Sequence, residues 1–407
     1  MINKIAKKQI ASTLSLLRFQ SRSISTYREK YLIETDALDK LIQDNSKDLK
    51  ILNGSWFMPQ MNRNAKQEHA QERIPGARFF DIDAIANKLI DLPHMMPSLD
   101  DFNKHMWELG IKRTDNIVCY DNLGIFSSPR VAFTFQYFGA PNVRVLNGGF
   151  PKWLRESRKT ESGPDREWER GKKEDYLYTE ENPDRLIREI NQMHQTAYYV
   201  SNKQSDTQII DARAQQRYLG EVDEPRAGLR KGHVPGAKNM FFQLLIDPET
   251  QTFKTDKELA QLFLKQDIDT TLSTVTYCGS GLTACVVNLG LELLGNEGKT
   301  ILYDGSWTEY GQHPEPDFKK GGFNQNINEV LDQIAMSRGH DQYVQYKGRV
   351  EVQTQLREQE NKAAQQKEEM LKQFPKHLYN SDEEESDYDV NEKEMHATSR
   401  TKMNQRK

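Results

Sequence analysis

The chemistry legible in this 407-residue chain centres on one cysteine. Thr274-Val275-Thr276-Tyr277 reads as a strand. It runs into Cys278-Gly279-Ser280-Gly281-Leu282-Thr283-Ala284, and the apolar run Cys285-Val286-Val287-Asn288-Leu289-Gly290-Leu291 follows. The pattern is strand, tight glycine-bearing loop, helix. Such a loop turns several backbone N–H groups inward while the next helix points its positive end at the loop centre, which makes an anion cradle. A cysteine at its start is favoured as the thiolate, and the same field holds the outer sulfur of a persulfide or an anionic leaving group. Nucleophilic sulfur or phosphoryl chemistry is therefore expected of Cys278. The plain alternative is a structural cysteine at the mouth of a glycine loop.

Cysteine phosphatases need an arginine six positions after the nucleophile, because its guanidinium clamps the phosphoryl oxygens bidentately. Here that position is Ala284, which argues against phosphoryl transfer. Cys278 and Cys285 stand seven apart with no histidine beside them, a poor metal pair. Cys285 is expected to be a buried helix residue and Cys119 a core residue of a strand. Three scattered cysteines build neither a disulfide framework nor a four-ligand zinc site, so a reducing compartment is expected.

The length allows two to three domains. Apolar runs at 116–120 and 143–146 read as strands, alternating with longer helical segments, which predicts α/β domains with parallel sheets. The second half repeats the first. Ile51-Leu52-Asn53 matches Ile209-Ile210-Asp211 at an offset of 158, and Ile74-Pro75-Gly76-Ala77 matches Val234-Pro235-Gly236-Ala237 at 160. Tyr120-Asp121 matches Tyr277-Cys278 at 157, as Asn147-Gly148 matches Asp304-Gly305. The expected body is a tandem of two similar domains, 29–158 and 191–316, facing each other as a pseudo-dimer. Between them 159–190 is expected to be a linker: the stretch from Glu156 to Glu181 is charged, holds Gly163-Pro164 and lacks an apolar period.

Residues 1–28 carry Lys4, Lys7, Lys8, Arg18, Arg22 and Arg28, five serines and no acid, which reads as a mitochondrial presequence rather than a plain basic arm. Residues 317–407 should form an extension. From Gln345 to Phe374 it is rich in Gln, Glu, Lys and Ala, a solvated or partner-packed helix. Ser381 to Val390 holds six acids and should be disordered, a solvated tail or a docking segment for a protein partner. A net charge of −4 offers no basic field for nucleic acid. No uncharged apolar stretch approaches the ~18 residues of a membrane span.

At these residues the chain resembles the two-domain rhodanese superfamily, within it the 3-mercaptopyruvate sulfurtransferases. Besides the cysteine loop, the resemblance rests on Arg73-Ile74-Pro75-Gly76-Ala77-Arg78-Phe79-Phe80-Asp81-Ile82-Asp83, Leu92-Pro93-His94-Met95-Met96-Pro97, Asp211-Ala212-Arg213, Gly232-His233-Val234-Pro235-Gly236-Ala237 and Tyr303-Asp304-Gly305-Ser306-Trp307. It spans roughly Tyr31 to Pro316. The resemblance implies a reactive C-terminal domain only, since the first domain has Asp121 in place of the cysteine. It implies substrate binding by Arg217 and Arg226, a task that suits the planar fork of arginine. It adds a proton relay of Ser280, His94 and Asp83, the last two reaching in from the first domain. Gly279, Gly281, Leu282 and Thr283 complete the persulfide loop.

Family members that prefer thiosulfate carry basic residues just after the cysteine, whereas Gly279-Ser280 matches the mercaptopyruvate type, so thiosulfate is the second-choice donor. The acceptors implied are thioredoxin, small thiols or cyanide, with no metal or organic cofactor. Two departures stand out: the family's Asp-Ala-Ser-Trp is Asn53-Gly54-Ser55-Trp56 here, and Arg73 replaces a histidine before Ile-Pro-Gly. They leave open a loosened first domain. A reading from another class is a sulfurtransferase-like subunit of a mitochondrial assembly, docked through the C-terminal extension.

Overall fold

The computed structural model describes residues 25–178 and 186–313. The expected presequence up to residue 24 and the expected helical and acidic extension, 317–407, lie outside the described residues. Two five-stranded sheets form the body, and every pairing in them is parallel. The first contains β1 (Leu32–Ile33), β2 (Leu49–Asn53), β3 (Arg78–Phe79), β4 (Asn116–Tyr120) and β5 (Val143–Leu146), in the order β1-β5-β4-β2-β3. The second contains β6 (Leu186–Arg188), β7 (Gln208–Asp211), β8 (Ala237–Asn239), β9 (Thr274–Tyr277) and β10 (Thr300–Tyr303), in the order β6-β10-β9-β7-β8. The strand order is the same twice, as the sequence repeat requires.

Period-2 alternation puts Ile117 and Cys119 of β4 into one core and Val118 and Tyr120 into another. Helices must therefore cover both faces of each sheet, which is why the central strands are apolar throughout. Cys119 is wholly buried, and that burial pushes its thiol well up. Where the two domains meet, the helices Ser128–Tyr137 and Ala284–Leu293 pack together, and a single hydrophobic core runs from Val131 and Phe135 through to Cys285 and Leu289. Burying each large apolar side chain of this core is worth about 1.5–3 kcal/mol.

The start of the described chain also straps the domains. From the helix Ser25–Tyr31, Arg28 donates to Asp256 Oδ1 at 3.0 Å and to the carbonyls of Phe253 and Lys254 at 3.0 and 2.8 Å, all in the second domain. Arg28 thus belongs to the fold. The segment read as a linker packs on the first domain. Tyr176 and Tyr178 are buried, and Tyr178 stands edge-on to Phe102 at 4.9 Å. Arg73 fastens the segment: its buried guanidinium donates to Glu161 and to the carbonyls of His69, Gly163 and Pro164. The second sheet then begins at Leu186, inside the stretch assigned to the linker.

The first domain is not loosened at Asn53-Gly54-Ser55-Trp56. Asn53 Oδ1 takes the Ser55 amide at 3.0 Å, as Asp211 Oδ1 takes the Arg213 amide at 2.9 Å in the other domain. Gly54 passes so close to the helix at Val131 that a Cβ would lie 2.4 Å from Val131 Cγ2. Among the described residues no helix is long and apolar enough to cross a membrane.

Candidate active site

The loop that follows β9 stands at the carboxyl end of the second sheet, where open α/β sheets place their ligands. Cys278 opens it and is 3% exposed. The turn after β10 shapes the loop from outside. Trp307 and Thr308 donate their amides to the carbonyls of Cys278 and Gly279 at 3.0 and 2.9 Å, and Ser306 Oγ accepts the Cys278 amide at 3.2 Å. With its carbonyls held outward, the loop leaves the amides of Gly279, Ser280, Gly281, Leu282 and Thr283 without an acceptor among the described residues. The helix Ala284–Leu293 starts immediately behind them. Gly281 at φ +80° makes the turn. Cys285 is buried in the helix, as expected, with its thiol pushed up to about 12 by that burial.

The first domain carries the same loop after β4 and shows what it binds. Asp121 holds the position of Cys278. Its Oδ2 accepts the amides of Phe126, Ser127 and Ser128 at 2.9, 3.0 and 2.9 Å and the Ser128 hydroxyl at 2.6 Å, while Oδ1 accepts the Leu123 amide at 2.9 Å. A carboxylate fills that cradle from within. In the second domain a thiol stands at the cradle's edge and the matching amides at Ser280 and Thr283 are unpaired.

Two arginines flank the thiol loop. A Cβ on Gly279 would lie 3.2 Å from Arg217 Nη2 and 4.0 Å from Arg226 Nη1, so the guanidinium groups occupy the space a side chain would take. Arg217 is held by Glu224, whose buried carboxylate is shared with the buried Arg213. Arg226 donates no hydrogen bond among the described residues. Half-buried, it is pushed below the ordinary arginine value by that burial, against the opposing pull of the Cys278 sulfur, Asp83 and Glu224. An arginine stays charged regardless, so Arg226 is a cation with open donors beside the thiol.

From the first domain, His94 Nδ1 meets Asp83 Oδ1 at 2.6 Å, and Asp83 Oδ2 accepts the Trp56 indole N–H at 2.8 Å. The Trp56 ring stands edge-on to the imidazole at 4.8 Å. Burial pushes the Asp83 carboxyl up, but His94 and Trp56 outweigh it and hold the group below the usual carboxylate range. His94 has φ +63°, a left-handed conformation that costs a non-glycine residue about 1–3 kcal/mol. Its Nε2 is buried without a hydrogen-bond partner among the described residues.

The structure therefore joins Asp83 to His94 but not His94 to Ser280. The Ser280 hydroxyl makes no hydrogen bond among the described residues, although the residue is 7% exposed. Trp56 and Glu224 are the residues that sequence reasoning passed over. Trp56 lies inside a motif already quoted and Glu224 two residues before Arg226, but the role of Trp56 depends on a partner distant in the chain and that of Glu224 on a buried carboxylate shared between two arginines. Among the described residues no group of three His, Cys, Asp or Glu side chains is placed to hold a metal. A cavity of about 580 Å³ lies in the first domain beside Asn122, the counterpart of Gly279, lined by Arg63, Glu68 and Phe150 among others.

Comparison with known proteins agrees with this fold. The rhodanese-like domain family matches residues 63–156 and 196–313. The thiosulfate/3-mercaptopyruvate sulfurtransferase 1, mitochondrial, of Arabidopsis thaliana is 35% identical over 76% of this chain and 83% of its own length. Among solved structures, the 3-mercaptopyruvate sulfotransferase SseA of Escherichia coli is 32% identical with a TM-score of 0.59, covering 68% of this chain and 99% of its own. A sub-stoichiometric sulfur transferase subunit of yeast mitochondrial complex I is 31% identical with a TM-score of 0.61, covering 71% and 98%. Sequence, fold and site together place the chain in the family of two-domain rhodanese-like sulfurtransferases.

Proposed function

We propose that this chain moves the sulfur of 3-mercaptopyruvate to a thiol or cyanide acceptor through a persulfide on Cys278. The observation that carries the reading is the pair of matching loops: one closes its amides on the Asp121 carboxylate, while the other keeps Ser280 and Thr283 amides unpaired around a thiol. Arg226, with its donors open, receives the substrate carboxylate, and Arg217, steadied by Glu224, takes the neighbouring ketone. The Cys278 thiolate attacks the substrate sulfur. An S–S bond forms as the C–S bond breaks, and the bonding pair goes to carbon as the enolate of pyruvate. The proton of the substrate S–H group is carried to that carbon by Ser280 and His94, which are not bonded to each other and which the bound substrate must bridge, with Asp83 holding the imidazole in the required tautomer. The persulfide then rests against the loop amides until thioredoxin, a small thiol or cyanide attacks its outer sulfur and Cys278 leaves as thiolate.

The bare Gly279 favours this donor over thiosulfate, because the cations already stand where a basic side chain would enter. Pyruvate release from 3-mercaptopyruvate with a thiol acceptor tests the proposal. Wild type should turn over, and Cys278→Ser should lose at least about 10³-fold in kcat while keeping its melting temperature. Activity of the serine variant near that of wild type would exclude the nucleophile.

The basic, acid-free N-terminus supports action in the mitochondrion, in the matrix. The likeness to the complex I subunit supports a second role as a docked member of a mitochondrial assembly, with residues 317–407 as the docking part. Truncation after Pro316 separates the two. Turnover should persist, while co-sedimentation with a large mitochondrial particle should be lost; loss of turnover would tie the extension to the chemistry.

A further inference from the structure

We propose that Arg130 is a positioning residue of this reaction, the buried guanidinium that sets His94 over the Cys278 loop. The proposal rests on the sulfurtransferase reading above. Arg130 belongs to the first domain, on the helix Ser128–Tyr137, yet its donors cross the domain boundary. Nη1 pairs with Asp304 Oδ1 and lies 3.5 Å from the Gly281 carbonyl, and Nη2 donates to the His94 carbonyl. Both members of the ion pair are at most 3% exposed. A charge so buried is tolerated only when its donors are met, and here the acceptors are the thiol loop, the turn beside it and the relay histidine.

The fit is close. A Cβ on Gly281 would lie 2.9 Å from the Asp304 carbonyl oxygen and 3.1 Å from Arg130 Nη1, so the loop rests directly on the guanidinium. Asp304 also accepts the Met96 amide at 2.7 Å. The His94 turn is thereby fixed at its own carbonyl and two residues later, which holds the left-handed backbone that aims the imidazole.

The internal repeat supplies a control. At an offset of 157, Gln251 matches His94 and is likewise left-handed, with φ +57°. Phe253 matches Met96, and its amide meets Asn147 Oδ1 at 3.0 Å, just as Met96 meets Asp304. The architecture of the turn is thus duplicated, but the ion pair is not: Val287 stands where Arg130 would be repeated, and Asn147 where Asp304 would be. The arginine and its carboxylate occur only on the side that carries the thiol. A part needed merely to join the domains has no reason to follow the cysteine.

The test is a double-mutant cycle on the full chain with Arg130→Met and His94→Gln. Alone, Arg130→Met should lower kcat for pyruvate release about tenfold or more with KM within about threefold, because Arg217 and Arg226 are untouched. In the His94→Gln background it should change kcat by less than about twofold. Arg130→Lys, which keeps the charge against Asp304 without the fork, should recover part of the loss; it replaces Arg130→Met in the cycle if that variant fails to fold. Equal factors in both backgrounds would overturn the proposal, since a purely structural residue acts alike with or without His94. Silence of wild type on 3-mercaptopyruvate would instead refute the functional reading. The cycle is then read on the alkylation rate of Cys278 by iodoacetamide, where a change of about threefold is expected with His94 present and none with His94→Gln. A change of equal size in both backgrounds overturns it there as well.

Discussion

Arg217 and Arg226 are not equivalent, although the sequence offers both as substrate cations. Glu224 takes two donors of Arg217, so that arginine is preset and partly neutralised, whereas among the described residues Arg226 keeps its fork open beside the thiol. The carboxylate of the donor should therefore depend more on Arg226. Arg226→Ala is expected to raise KM for 3-mercaptopyruvate about 10–100-fold, the worth of a charge-assisted bidentate contact, with a smaller effect on kcat. Steady-state kinetics check this, and an unchanged KM would remove Arg226 from the substrate site. The same residue-scale logic explains Gly279. Its lack of a side chain leaves room for two guanidinium groups, which bring positive charge to the loop from outside it.

At the scale of elements, the thiol loop, its helix and the repeat are legible in the sequence, because each rests on local rules: apolar strand, glycine turn, helix, and a fixed offset. The Asp83–His94 pair came through resemblance and is met by a 2.6 Å contact. What escaped was long-range. The stretch from Glu156 to Glu181 lacks an apolar period and so reads as a linker, yet contacts made by Arg73 and Tyr178, 67 to 91 positions apart in the chain, bind its described part to the first domain. Arg28 reads as the last basic residue of a presequence, while in the fold its partners lie more than 220 positions away. Trp56 sat in view as part of a departure from the family motif, but its indole N–H finds Asp83 only once the chain has folded. Composition carries no record of such pairings.

For the whole molecule, the proposed site needs both domains: His94 and Asp83 come from one and Cys278 from the other. The body also contains a buried group that should register acid. His194 is 5% exposed, packs edge-on to Tyr310 at 4.9 Å, and among the described residues neither ring nitrogen has a hydrogen-bond partner. Burial, reinforced by the charges of His313 and Arg230, pushes it down from 6.5 to about 4. The folded state thus keeps this imidazole neutral where the unfolded chain binds a proton, so its stability contribution is intact above about pH 6.5 and is lost as pH falls towards 4. Between pH 7 and pH 5 it should cost about 2 kcal/mol. Urea unfolding at both values, compared with His194→Met, should show a smaller acid loss in the variant; parallel behaviour would show that other groups dominate.

The account turns on where the transferred sulfur rests. Incubation of the full chain with 3-mercaptopyruvate and no acceptor, followed by digestion and mass measurement of the peptides containing Cys119, Cys278 and Cys285, reads this directly. The Cys278 peptide alone should gain one sulfur atom and lose it again on addition of a thiol. Pyruvate release with no sulfur on Cys278, or with the sulfur on another cysteine, would contradict the account.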